Sequence, residues 1–221
     1  MGGRGASAPR GGSGGIGGFA SNALGFQPYD TLRDAIGSQG SPKSMADAML
    51  NSNPHYDKAH TYREFTENCQ RCVVAYEARR RGYDVTAQPT FEGDRMGAPA
   101  YINPKTGVRN SYWMGSFQGA KPMRVGGQTG DASQRALESK MAEFGENSRG
   151  IMQVIWKGGG GHVINVERRN GRTYYNDAQA GVRYNPKSLF ANIDPTRTQL
   201  TRTDNLKFSE RAKKAITKDK W

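Results

Sequence analysis

The sequence predicts an α+β fold, and three observations carry that prediction. A helical pattern runs from Cys69 to Gly82 and places two cysteines, Cys69 and Cys72, in its first turns. The last third of the chain turns to short alternating runs separated by glycine-rich turns. One of the three histidines, His162, opens such a run directly after four glycines, Gly158 to Gly161. A cysteine-bearing helix followed by an antiparallel sheet that carries a histidine is segregated helix and sheet, not alternating βαβ units.

The elements follow in order. Residues 1–27 are Gly-rich and read as a flexible tail or linker. Residues 28–60 form a short helical lead-in, with helices over Tyr29 to Ile36, capped by Asp30, and over Pro42 to Leu50, capped by Ser41. Residues 61–221 are the main domain. Asn68 is a good N-cap for the cysteine helix, and Gly82 a natural stop. Arg79, Arg80 and Arg81 fall in its last turn, where cations complement the helix dipole.

After Gly82 a strand reads from Tyr83 to Ala87, and residues 89–130 carry the weakest pattern. An amphipathic helix is expected over Asp131 to Phe144. Strands follow at Ile151 to Trp156, His162 to Glu167 and Thr173 to Asp177, the last two joined by the hairpin signal Asn170-Gly171. A strand near Thr198 to Thr203 and a basic helix near Ser209 to Thr217 close the chain.

Composition excludes several classes. Only 35% of the residues are hydrophobic, and no apolar run reaches the roughly 18 residues of a membrane span. Two neighbouring cysteines are too few and too close for a disulfide scaffold. Nothing at the N-terminus reads as a secretory signal. The net charge of +12 keeps a basic binding module, acting on nucleic acid or on an acidic protein, as the reading from a different class.

The chemistry is concentrated at Cys69. The nucleophile must be a thiolate, and the first turn of a helix lowers a thiol's pKa through unpaired amides and the macrodipole. The thiol needs a base; His55 and His60 lie in a polar loop, whereas His162 opens a strand. The base needs an orienting partner. Across a hairpin centred on Asn170-Gly171, paired positions sum to about 341, so His162 faces position 179. Asp177 and Gln179 are both within reach on that face; Asp177 is the choice and Gln179 the alternate or a supporting amide.

The blander readings of Cys69-x-x-Cys72 are weaker. Zinc needs four ligands, and only His162 offers a third. A redox pair should follow a buried parallel strand, but Tyr62 to Glu67 is too polar for one. Cys72 reads as a small core residue. No cofactor or metal is expected. Gly158 to Gly161 lacks the Lys and Ser/Thr of a phosphate loop.

Asn68-Cys69-x-x-Cys72-x-x-Ala75, Arg80-Arg81-Gly82, Gly161-His162-x-x-Asn165, Asp177-Ala178-Gln179-x-Gly181 and Arg202-Thr203-Asp204-Asn205-Leu206 together resemble the papain-fold toxin family, over about residues 53–217. The resemblance implies a papain-like fold and a glutamine deamidase of bacterial or phage-associated toxins. It makes Cys69 the nucleophile, His162 the base and Asp177 the third member. It also implies a glutamine side chain of a protein as substrate, action in the cytoplasm of a target cell and a cognate immunity protein as partner. A papain-like protease or a transglutaminase-like enzyme would use the same machinery. Papain-like proteases carry a glutamine a few residues before the cysteine; Tyr62 to Asn68 contains none, which leaves Asn68 and Gln179 as candidates for the oxyanion donor or its support.

Overall fold

A computed structural model describes residues 29–57, 59, 62–91, 96, 101–102 and 109–219. The Gly-rich start and His60 lie outside the described residues.

The chain opens with α1 (Leu32–Ile36) and α2 (Met45–Asn51). Both start later than the sequence suggests. In α1, Thr31 and Asp34 form a reciprocal capping box, so Thr31 rather than Asp30 is the cap. In α2, the Ser44 hydroxyl accepts from the Asp47 amide. Residues 40–43 are held instead against the end of the next long helix, through Gly40 N–H to Gly82 O and Lys43 N–H to Arg79 O. A single turn, α3 (Arg63–Thr66), leads into α4 (Cys69–Arg80), the cysteine helix.

α4 is buried along its length, from Gln70 to Arg79. A helix enclosed on all sides must have its polar groups satisfied from within the protein. Glu77 accepts from Arg81 and, at 2.9 Å, from Arg149. Arg79 pairs with Asp47 and Asp84, and Arg80 with Glu167 at 2.6 Å. The arginine run does sit in the last turn, and it also bolts the helix to α2 and the sheet.

Two short strands, β1 (Thr86–Ala87) and then β2 (Tyr101–Ile102), precede β3 (Arg109–Asn110), which pairs with β2. A 3-10 turn, Tyr112–Ser116, brings Trp113 into the core. Then come β4 (Met123–Arg124) and α5 (Gly130–Phe144), capped by Thr129. The sheet strands β5 (Arg149–Ile155), β6 (Gly161–Arg169), β7 (Arg172–Asp177) and β8 (Val182–Tyr184) follow, then α6 (Pro186–Asn192) and β9 (Gln199–Arg202). α6 has the signature of a start, Asn185 as cap with Pro186 at the first position, which the sequence reading passed over.

The closing basic helix expected over Ser209 to Thr217 is a 3-10 turn, Glu210–Lys214, followed by β10 (Ile216–Thr217). The reason is tertiary: Thr217 and Ile216 pair with Thr86 and Ala87 of β1, so the backbone groups a helix would use are taken by a strand.

Among the described residues the main sheet has six antiparallel strands in the order β4-β9-β5-β6-β7-β8. One face packs on α4 through Ile151 and Val163, and Asn165 donates to Val73 O at 3.1 Å. The opposite face, with Met152, Val154, Ile164 and Val166, packs with Leu137, Met141, Leu189 and Phe190 of α5 and α6. The lead-in belongs to the first of these cores, since Ala35, Ile36, Met45 and Ala48 lie within it. The fold is therefore mixed helix and antiparallel sheet, as predicted, with helices on both faces.

Candidate active site

The start of α4, the start of β6 and the end of β7 meet at one end of the sheet. The register explains how. Asn165 lies opposite Asn176 and Arg169 opposite Arg172, both summing to 341. Asn170 and Gly171 both adopt positive φ, 52° and 71°, the turn their dipeptide predicts. The ladder ends at Asn165 and Asn176; beyond it His162 and Asp177 meet through their side chains. His162 Nε2 lies 2.8 Å from Asp177 Oδ2. Cys69 also acts on the imidazole and raises its pKa, and Nδ1 is the ring nitrogen that Asp177 leaves free.

The three groups differ in exposure. Cys69 is partly buried; the His162 side chain is 10% exposed and that of Asp177 3%. Burial pulls the imidazole towards neutrality, but the charge and hydrogen bond of Asp177, with the contribution of Cys69, outweigh it and raise its pKa to about 10. Burial raises the Asp177 carboxyl in turn, and His162, Tyr184 and the Ala180 amide hold it below the usual range. Both shifts favour an imidazolium–carboxylate pair.

Cys72 is different. It is buried in the core, and burial, with the charges of Cys69 and Asp177, pushes its thiol well above the ordinary range. It remains a thiol and donates to Asn68 Oδ1 at 3.2 Å.

Asn68 does not cap the helix with its side chain. That side chain turns inward instead. Its nitrogen donates to Asn53 Oδ1 at 3.1 Å and to Gln88 O at 3.4 Å, and its oxygen receives Gln179 Nε2 at 3.3 Å. Asn68 is completely buried, and both polar atoms of its side chain are hydrogen-bonded within the protein. The Gln179 backbone amide donates to Asp177 Oδ1 at 2.9 Å. Asp177, and not Gln179, bonds to the histidine.

Trp113 and Trp156 take different places. Trp113 is buried in the core, its backbone amide donating to Gln70 Oε1. Trp156 stacks on the His162 ring, with centroids 5.9 Å apart. His55 stands near Phe65, in the loop expected. Sequence reasoning missed Tyr184, whose hydroxyl donates to Asp177 Oδ2 at 2.8 Å. The alternation Val182-Arg183-Tyr184 after Gly181 is the signal that could have found it. Among the described residues no group of three or more His, Cys, Asp or Glu side chains could hold a metal ion.

The family described as papain fold toxin 1, glutamine deamidase, has a model that matches residues 67–182. That span contains Cys69, His162 and Asp177. No curated protein and no solved structure matches the chain.

Proposed function

Because the chain belongs to the papain fold toxin 1, glutamine deamidase family, we propose that it is a cysteine-dependent amidohydrolase that converts glutamine side chains of a target protein to glutamate. The observation that supports this reading most is the His162 ring, held at Nε2 by Asp177 at 2.8 Å, with Cys69 at the helix start acting on the same ring.

The Cys69 thiolate attacks the carboxamide carbon and forms a tetrahedral oxyanion. The N-terminal end of α4, where the helix dipole favours negative charge, is best suited to stabilise that oxyanion. His162 gives its proton to the leaving nitrogen, and the C–N bond breaks to release ammonia and a thioester. Water then gives a proton to the now neutral His162 and attacks the thioester; the C–S bond breaks, leaving glutamate and the thiolate. Asp177 keeps the ring oriented with Nδ1 toward sulfur.

The family supports reading it as a toxin acting in a target cell, with an immunity protein covering the Cys69–His162 cleft as the partner in its producer. The basic binding module is less favoured. The densest basic run, Arg79 to Arg81, has side chains only 6%, 14% and 17% exposed, and each pairs with a carboxylate of the same chain.

The test has two stages. Iodoacetamide at about pH 6 should label Cys69 fast in the wild type and slowly in His162→Ala, because an unassisted thiol is mostly protonated there. Protein substrates should then gain about 1 Da at glutamine without backbone cleavage, and lose that gain with Cys69→Ala. Equal, slow labelling of both cysteines would remove the nucleophile assignment; cleaved peptides would turn the reading to a protease.

A further inference from the structure

Tyr184 stands on β8, one strand beyond Asp177, and has no part in the steps above. Its hydroxyl donates to Asp177 Oδ2, the oxygen that also receives His162 Nε2, and both distances are 2.8 Å. The other oxygen, Oδ1, accepts the amides of Gln179 and Ala180 at 2.9 and 3.3 Å. The carboxylate thus has four donors, and Tyr184 is the one side chain among them besides His162. Trp156 links the two ends: it stacks on His162 and meets the Tyr184 ring edge-on, with centroids 6.2 Å apart.

Two physical effects follow. The tyrosine fixes the plane of the carboxylate, so that Oδ2 stays aimed at Nε2. It also shares that oxygen's charge, because a hydrogen bond to a carboxylate stabilises the ionised form and weakens its pull on another proton. Glutamine hydrolysis asks His162 to give up a proton and then to accept one from water. An imidazolium gripped by an unshared aspartate is a poor donor, and it is slow to return to the neutral form.

We propose that Tyr184 is a positioning residue that acts through Asp177, fixing the carboxylate and lowering the proton affinity that Asp177 confers on His162. This deepens the reading of His162 as the acid and base, and rests on it for its catalytic meaning. The titratable groups facing the pair are the thiols of Cys69 and Cys72 on α4, Asp177 on β7 and Tyr184 on β8, with Tyr56 acting on Tyr184 from the segment after α2.

The experiment is an NMR titration of the histidine rings in the full chain, wild type against Tyr184→Phe, with His162 identified by its absence in His162→Ala. Tyr184→Phe keeps the ring that meets Trp156 and removes only the hydroxyl. The His162 titration should move upward by roughly half a unit or more. In the Asp177→Asn background the same substitution should move it little, because the shared charge is gone. An unchanged or lowered titration in Tyr184→Phe would overturn the proposal, as would an equal shift in the Asp177→Asn background, which a merely structural role would give. Iodoacetate labelling of Cys69, run beside it, separates the two readings. If His162→Ala labels as fast as wild type, the catalytic pair fails while the titration still decides the role of Tyr184.

Discussion

At the scale of single residues, Asp177 and Asn68 do different work. Asp177 acts through charge. Asp177→Asn keeps the shape and removes the attraction that raises the imidazole, so His162 should return toward the ordinary range, and amide hydrolysis should fall by about 10²- to 10⁴-fold. A rate within threefold of wild type would assign the orientation of His162 to some other group. Asn68 acts through packing: it is buried and receives from Cys72 and Gln179 while donating to Asn53 and Gln88. Asn68→Ala leaves those groups unpaired and should cost about 2 kcal/mol or more in denaturant unfolding. A loss of activity at unchanged stability would instead point to direct contact with substrate. Cys69 and His162 were legible because helix starts and strand starts leave local marks. The inward turn of Asn68 was not, because a good capping residue reads alike whether it caps or not.

At the scale of elements, the end of α4 is the tightest joint. Gly82 has a φ of +101°, and a Cβ there would lie 2.1 Å from Gly40 O. Gly82→Ala therefore meets both a left-handed backbone and a clash with main chain, and should destabilise by about 2 kcal/mol or more. A melting temperature equal to wild type would mean that the 40–43 segment can move away without loss. The neighbouring carboxylate of Glu77 lies between Arg81 and Arg149 at zero exposure. Glu77→Gln leaves two guanidiniums without their counter-charge, and a loss of about 3 kcal/mol is expected from chemical denaturation. The arginines' place in the last turn is visible in the sequence. The partner of Arg80 is not, since Glu167 comes from a strand 87 residues away in the chain.

At the scale of the whole molecule, the site couples to stability through pH. His162 has its folded pKa raised from 6.5 to about 10, so its contribution is complete below 6.5 and is lost as pH rises through about 10. Asp177 is depressed below 3.8, so its contribution is complete above that value and is lost as pH falls through its lower folded one. Wild-type stability should therefore decline between about pH 6.5 and 10 by more than that of His162→Ala, read by urea midpoints across that range. Parallel profiles for the two proteins would show that His162 titrates as it does in the unfolded chain.

The sequence by itself determined the cysteine at a helix start, the Asn170-Gly171 hairpin with its register, and through that register the approach of Asp177 to His162. Each depends on periodicity or turn chemistry within a few residues. Tertiary structure alone decided that β9 inserts between β4 and β5, that the C-terminal segment is a strand on β1, that Asn68 turns inward and that Tyr184 reaches Asp177. The common reason is that buried backbone and side-chain polar groups must find partners wherever the packed surfaces bring them. That choice depends on which distant segments meet, and local pattern carries no record of it.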